Sequence, residues 1–212
     1  MNNTKLYPLS FKPILKERVW GSETWVLSGL DSDTSIINNG FLKGNTLNEA
    51  LEVYLTDLVG DRIYNMCGDE FPLLIKYLTV NDFLSVQVHP DDERAAGMHH
   101  AYGKTEMWYI MDADPKARLY LGFNQDMSPE SFYSRCENET LPDVMNCIVP
   151  KKGECYFIPA GLIHALSLIH ISEPTRLLSI SYAVFCLKKK NKINKISKNL
   201  DCLNVDSACG VT

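Results

Sequence analysis

No run of roughly 18–20 apolar residues, the length of a membrane-spanning helix, occurs in this 212-residue chain, so no such span is expected. No excess of basic charge is present either. Lys and Arg number 21 against 26 Asp and Glu, a net charge of −5, which argues against a general nucleic-acid binder. The seven cysteines are odd in number and contain no C-x-x-C pair. Reduced thiols in a cytoplasmic protein are expected, not a disulfide framework. The first 20 residues interrupt their apolar positions with Pro, Lys and Glu, so a secretory leader is not expected. Internal repeats are absent, and no low-complexity linker precedes residue 166. What remains is ordinary globular composition, 45% hydrophobic and 22% charged, in a chain long enough to bury a core.

Charge is distributed unevenly. Through Leu166 there are 14 Lys and Arg against 23 Asp and Glu, a net −9; from Ser167 onward the counts are 7 and 3, a net +4. Three of the cysteines, Cys186, Cys202 and Cys209, lie in this second part.

The first 30 residues hold Pro8, Pro13, Trp20, Gly21 and Trp25, which predicts short irregular or strand pieces. Over 46–60 the pattern predicts a helix. Thr46 caps it, Glu49 completes a capping box, Gly60 stops it, and Leu47, Leu51, Tyr54 and Leu58 share one face. The pattern then becomes strand-like at 71–80, 82–90, 105–113, 117–123 and 154–161, with a second helix at 128–140 capped by Ser128. Many short strands broken by Gly and Pro predict a β-sandwich or barrel with few helices.

Three segments carry chemistry. In Gln87-Val88-His89-Pro90, period two puts Gln87 and His89, with Ser85 before them, on one strand face, and Leu84, Val86 and Val88 on the other. In Gly103-Lys104-Thr105-Glu106, Lys104 and Glu106 share a face by the same rule. Gly153 to His164 delivers a histidine just after a Pro-Ala-Gly turn. Two imidazoles, a carboxylate and an amide oxygen suit a borderline divalent ion such as Zn²⁺, at about 2.0–2.2 Å for N and O donors. Their summed charge of about −1 leaves a site of about +1 with the ion bound, which favours an anionic substrate. Taken singly these residues have ordinary readings: Glu106 and Lys104 as solvated strand residues, His89 and His164 as hydrogen-bonded core or surface groups. His99-His100 reads as structural or rim, since consecutive residues point apart. The cysteines read as small buried hydrophobes. Only the combination points to a site.

Gly153–His164 fits the second cupin motif, G-x5-P-x-G-x2-H. Together with FPLLIK (71–76), LSVQVHPDD (84–92) and YGKTEMWYI (102–110), and with the K-E-R-V-W-G opening at 16–21, it resembles the type I mannose-6-phosphate isomerase family in its short bacterial form, over roughly residues 5 to 166. The resemblance implies a mainly β fold with a few helices, a cupin β-jelly roll. It implies interconversion of mannose 6-phosphate and fructose 6-phosphate through a cis-enediol, with one zinc ion per chain. Carried over by motif, the metal ligands are His89, Glu106 and His164, with Gln87 as a fourth. Lys104 matches a family lysine lining the sugar-phosphate site and is the catalytic candidate, with Lys76 and Ser85 near the substrate. The implied partner is a small sugar phosphate, with no nucleic acid and no membrane.

The family pattern lapses after the histidine. Position 168 is Leu where the cupin motif continues with Asn, and the segment LSLIHISEPTR resembles translated sequencing-adapter read-through. The expectation is therefore a family domain over 1–166, a jelly roll incomplete at its C-terminal end, and a non-native or divergent tail over 167–212 that supplies at most one strand, packs poorly over 188–212 and leaves little activity. Two other readings stay open: another cupin metalloenzyme such as an epimerase, and a cupin that binds sugar without turnover.

Overall fold

The computed structural model describes residues 5–99, 102–168 and 180–187. The side chains of His99 and His100, and the segment 188–212 expected to pack poorly, lie outside the described residues. In chain order the elements are β1 (Ile14–Arg18), β2 (Gly21–Ser28), α1 (Leu47–Tyr54), α2 (Thr56–Val59), α3 (Asp61–Cys67), β3 (Leu73–Val80), β4 (Leu84–Gln87), α4 (Asp92–His99), β5 (Thr105–Ala113), β6 (Ala117–Phe123), α5 (Pro129–Glu137), β7 (Met145–Ile148), β8 (Cys155–Ile158), β9 (His164–Leu168) and β10 (Ile180–Leu187). No helix among the described residues is long and apolar enough to cross a membrane.

The strands form two antiparallel sheets, a larger one in the order β1-β2-β3-β10-β5-β8 and a smaller one in the order β4-β9-β6-β7. Alternation explains why they face each other. Leu74, Leu78, Trp108, Ile110 and Ile158 of the larger sheet pack in one core with Leu84, Ala117, Leu119 and Leu166 of the smaller. A second core, built on Leu141, Val144, Met145 and Ile163, packs against Phe132 of α5. The result is an open two-sheet sandwich of the mainly β, cupin type expected, not a closed barrel. β9 runs through position 166, where the charge balance changes, and β10 lies between β3 and β5 over its whole length.

Two local expectations fail for identifiable reasons. The helix predicted over 46–60 starts as expected, with the reciprocal Thr46–Glu49 capping box. It then breaks at Leu55, whose φ is 46°, so that α1 and α2 are separate. The buried face of α1 ends at Leu51, while Val53 and Leu55 are exposed, so no packing holds a longer helix straight. The second failure is in β4. Leu84 pairs Leu166 and Gln87 pairs His164, three steps on one strand against two on the other, which is a bulge. The bulge cancels strict alternation: Leu84 and Gln87 line the same cavity, and Ser85 is exposed.

Candidate metal centre

Four segments converge between the sheets. Glu106 is the second residue of β5 and faces inward, 3% exposed. His164 opens β9, fully buried, directly across from Gln87 at the end of β4. His89 lies two residues past β4, where the Gly161 N–H donates to its carbonyl at 2.8 Å and the Lys104 N–H donates to the Pro90 carbonyl at 3.1 Å. These backbone bonds tie the His89, Lys104 and Pro-Ala-Gly segments together. Gly103 is needed for the approach, since a Cβ there would lie 2.4 Å from the Asp92 nitrogen. Gly161, at φ 85°, provides the turn that aims His164 inward.

The donor atoms of His89, Glu106 and His164 all lie within 4.8 Å of one another. The imidazole Nε2 atoms of His89 and His164 are each 3.7 Å from a Glu106 oxygen, too long for hydrogen bonds. His164 Nδ1 donates to the Leu162 carbonyl at 2.7 Å, which fixes the tautomer and leaves Nε2 with a lone pair. That Nε2 is buried and has no hydrogen-bond partner. Such an orphan is costly unless a ligand meets it. The Lys104 ammonium sits 2.7 Å from Glu106 Oε1 and 3.0 Å from His89 Nε2, a cation already held by two of the three donor groups. The Trp108 indole donates to the other Glu106 oxygen at 3.1 Å and packs edge-on against the His164 ring.

The protonation states suit a metal. Burial, the Lys104 charge and His164 push His89 down to about 4 despite Glu106. Burial also lowers His164, against the opposing hydrogen bond to Leu162 and the charge of Glu106. Burial would raise Glu106, but the charge and hydrogen bond of Lys104, with the two imidazoles, hold it at about 2. Near neutral pH the cluster is two neutral imidazoles and one carboxylate, the form that binds a divalent ion. The residues present therefore fit a metal ion.

The match to known proteins agrees with this geometry. The family described as phosphomannose isomerase type I, catalytic domain, matches residues 4–120, more than half of the chain. The chain belongs to the type I phosphomannose isomerase family. It is 31% identical over 224 residues to mannose-6-phosphate isomerase ManA of Bacillus subtilis, covering 94% of this chain and 69% of that protein. It is 28% identical to mannose-6-phosphate isomerase of Streptococcus mutans, covering 97% of this chain and 70% of that protein. The crystal structure of mannose 6-phosphate isomerase from Bacillus subtilis superposes with a TM-score of 0.71 at 27% identity, covering 86% of this chain. This chain spans 59% of the length of that solved chain.

The remaining expected site residues divide in two. Gln87, Lys104 and Lys76 line one cavity of about 60 Å³ with Glu106, Trp108, Trp20, Leu78, Leu84 and Glu23. Ser85 is not on that wall. Glu23, unnoticed in the sequence, is 6% exposed. Its oxygens take the Lys76 ammonium at 3.2 Å and the Trp25 indole N–H at 2.6 Å, with Arg18 at 3.7 Å on the outer side. The only signal for it was Glu-x-Trp, which reads as an ordinary amphipathic strand.

Proposed function

We propose that this chain carries the metal centre of an aldose–ketose isomerase acting on mannose 6-phosphate and fructose 6-phosphate, in the cytoplasm. Zinc is the proposed ion, held by His89, Glu106 and His164 with the Gln87 amide oxygen as fourth donor. The observation that carries the reading is the buried, unpartnered Nε2 of His164 inside a cluster of two neutral imidazoles and one carboxylate. When bound, the ion supplies Lewis-acid polarisation at a carbonyl oxygen. The chain supplies the rest. Glu106 and the imidazoles hold the ion, Trp108 and the Leu162 carbonyl orient them, and Lys104 offers an ammonium to negative charge developing on the substrate. Four apolar or aromatic groups of the wall, Trp20, Leu78, Leu84 and Trp108, limit water in the cavity. A cavity of about 60 Å³ is below the roughly 300–1,000 Å³ of small-molecule pockets, so it holds part of a hexose phosphate and the rest lies outside it. Lys76 and, at the exposed rim, Ser85 are proposed substrate contacts. The family part is proposed to run through 166 and to draw β10 from the divergent segment beyond it.

The test is metal content together with a coupled assay of mannose 6-phosphate conversion, with and without added zinc. One zinc per chain, lost in His164→Ala, and zinc-dependent binding or turnover of the sugar phosphate are expected. A chain that loads zinc but neither binds nor converts mannose 6-phosphate would overturn the substrate assignment. Unchanged zinc content in His164→Ala would overturn the centre itself.

A further inference from the structure

The cavity wall carries two lysines, and they are held differently. Lys104 is engaged by Glu106 and His89 at the metal end. Lys76 reaches the same cavity from β3 and is paired with Glu23, which lies 53 residues earlier on the neighbouring strand β2. An ammonium has three N–H donors. Glu23 takes one from Lys76, and no other partner for it is seen among the described residues. The Glu23 carboxylate is itself locked, because its second oxygen is fixed by the Trp25 indole of its own strand. A flexible four-carbon side chain is thereby held at the wall, charged, with donors left over.

A buried ion pair is weak as a stabilising device, since apolar residues of the same volume often serve as well or better. Its retention in the wall of a ligand cavity therefore needs another reason. Sugar phosphates bring a charge of roughly −1.5 to −2 near neutral pH. Lys104 is drawn to the metal end by Glu106 and His89, so Lys76, with N–H donors beyond its pair with Glu23, is the cation placed to meet that charge.

We propose that Glu23 is a positioning residue that holds the Lys76 ammonium toward the cavity as the reader of the substrate's anionic group. This rests on the sugar-phosphate reading above and adds the residue that sets recognition of the charged end. The effect of Glu23 runs against simple electrostatics. Removing its negative charge would, by Coulomb attraction alone, tighten binding of an anion. If Glu23 works through the placement of Lys76, removing it weakens binding instead.

The experiment titrates the zinc-loaded chain with mannose 6-phosphate and with mannose. The change in tryptophan fluorescence reports binding, because all three tryptophans, Trp20, Trp25 and Trp108, line or abut this cavity. Zinc content and circular dichroism serve as checks on the variants. Lys76→Met is expected to weaken mannose 6-phosphate about tenfold, the loss of one charge-assisted contact, and to leave mannose unaffected. Glu23→Gln is expected to weaken mannose 6-phosphate about five- to tenfold, with the loss appearing in KM and not in kcat wherever turnover is measurable. The double variant is expected to bind no more weakly than Lys76→Met alone, because the two residues act as one unit. Glu23→Asp keeps the charge but draws it back by one methylene, and is expected to fall between wild type and Glu23→Gln; it covers the case in which Glu23→Gln does not fold. Equal or tighter binding of mannose 6-phosphate by Glu23→Gln, wild-type affinity in Glu23→Asp, or additive losses in the double variant would overturn the inference and leave the parent reading intact. A zinc-loaded wild-type chain that binds no mannose 6-phosphate overturns both.

Discussion

Two walls of one cavity repeat the same local arrangement. On β5, Glu106 gives one oxygen to the indole of Trp108, two residues on, and the other to Lys104. On β2, Glu23 gives one oxygen to the indole of Trp25, two residues on, and the other to Lys76. Period two makes this possible in both strands, since i and i+2 point to the same face. The difference lies in what else arrives. At Glu106 the second sheet and the segment after β4 bring two imidazoles, one with a buried nitrogen left unsatisfied. At Glu23 the only further charged group among the described residues is Arg18, at the solvent edge. A Glu-x-Trp with a lysine is thus a way to orient a buried carboxylate, and the neighbours decide whether that carboxylate joins a cluster that could hold a metal or pairs with basic side chains alone.

The largest expected contrast between the walls is in zinc affinity. Glu106→Gln should weaken zinc binding at least about 100-fold, since loss of even an indirect partner of a ligand costs 10–100-fold. Glu23→Gln should leave it within about twofold of wild type. A competition titration against a chromophoric chelator reads both, and equal losses in the two variants would erase the distinction. Next, Lys104→Met should keep zinc content at or above wild type, because it removes an ammonium and no donor. The same change should weaken mannose 6-phosphate binding about tenfold, roughly 1.4 kcal/mol, as measured by calorimetry. Lost zinc in Lys104→Met would make it part of the metal site. Trp108→Phe should weaken zinc about tenfold by freeing the Glu106 carboxylate, whereas Trp25→Phe should not.

The smallest effect is on acid stability. Burial would raise the Glu23 carboxyl, but the Lys76 charge, the Trp25 and Lys76 hydrogen bonds and Arg18 hold it below its ordinary 4.5. A carboxyl depressed in the folded state contributes stability above its ordinary range, and that contribution is lost as pH falls below it. Wild type should therefore lose melting temperature more steeply than Glu23→Gln between about pH 5 and 3. Near pH 7 the variant should be less stable by about 1–3 kcal/mol, because Lys76 loses its charged acceptor. Parallel melting curves over that range would show that the Glu23 pair does not form.

Strands β5 and β6 were legible to the residue, because apolar and aromatic strand formers run through each and polar segments bound them. The residues of the candidate metal cluster were legible for a different reason: His89, Glu106 and His164 stand in motifs that fix both residue type and spacing. Strand β4 was read too long because alternation says nothing of a bulge, and that bulge is what turns Ser85 outward while keeping Gln87 on the cavity. The helix at 46–60 was read as one piece because its spacing is helical throughout, although the face that packs ends at Leu51. The helices α3 and α4 and the strand β7 gave no periodic signal strong enough to stand out. Glu23 was missed because a buried role for a strand glutamate depends on Lys76 arriving from 53 residues away, which no local pattern encodes.

X-ray absorption spectroscopy on the zinc-loaded chain tests the central claim most directly, since it reads the atoms around the ion. The centre described here predicts two imidazole nitrogens and oxygen neighbours at about 2.0–2.2 Å, with one imidazole lost in His164→Ala. A sulfur neighbour at about 2.3 Å, or a first sphere unchanged by His164→Ala, would contradict it.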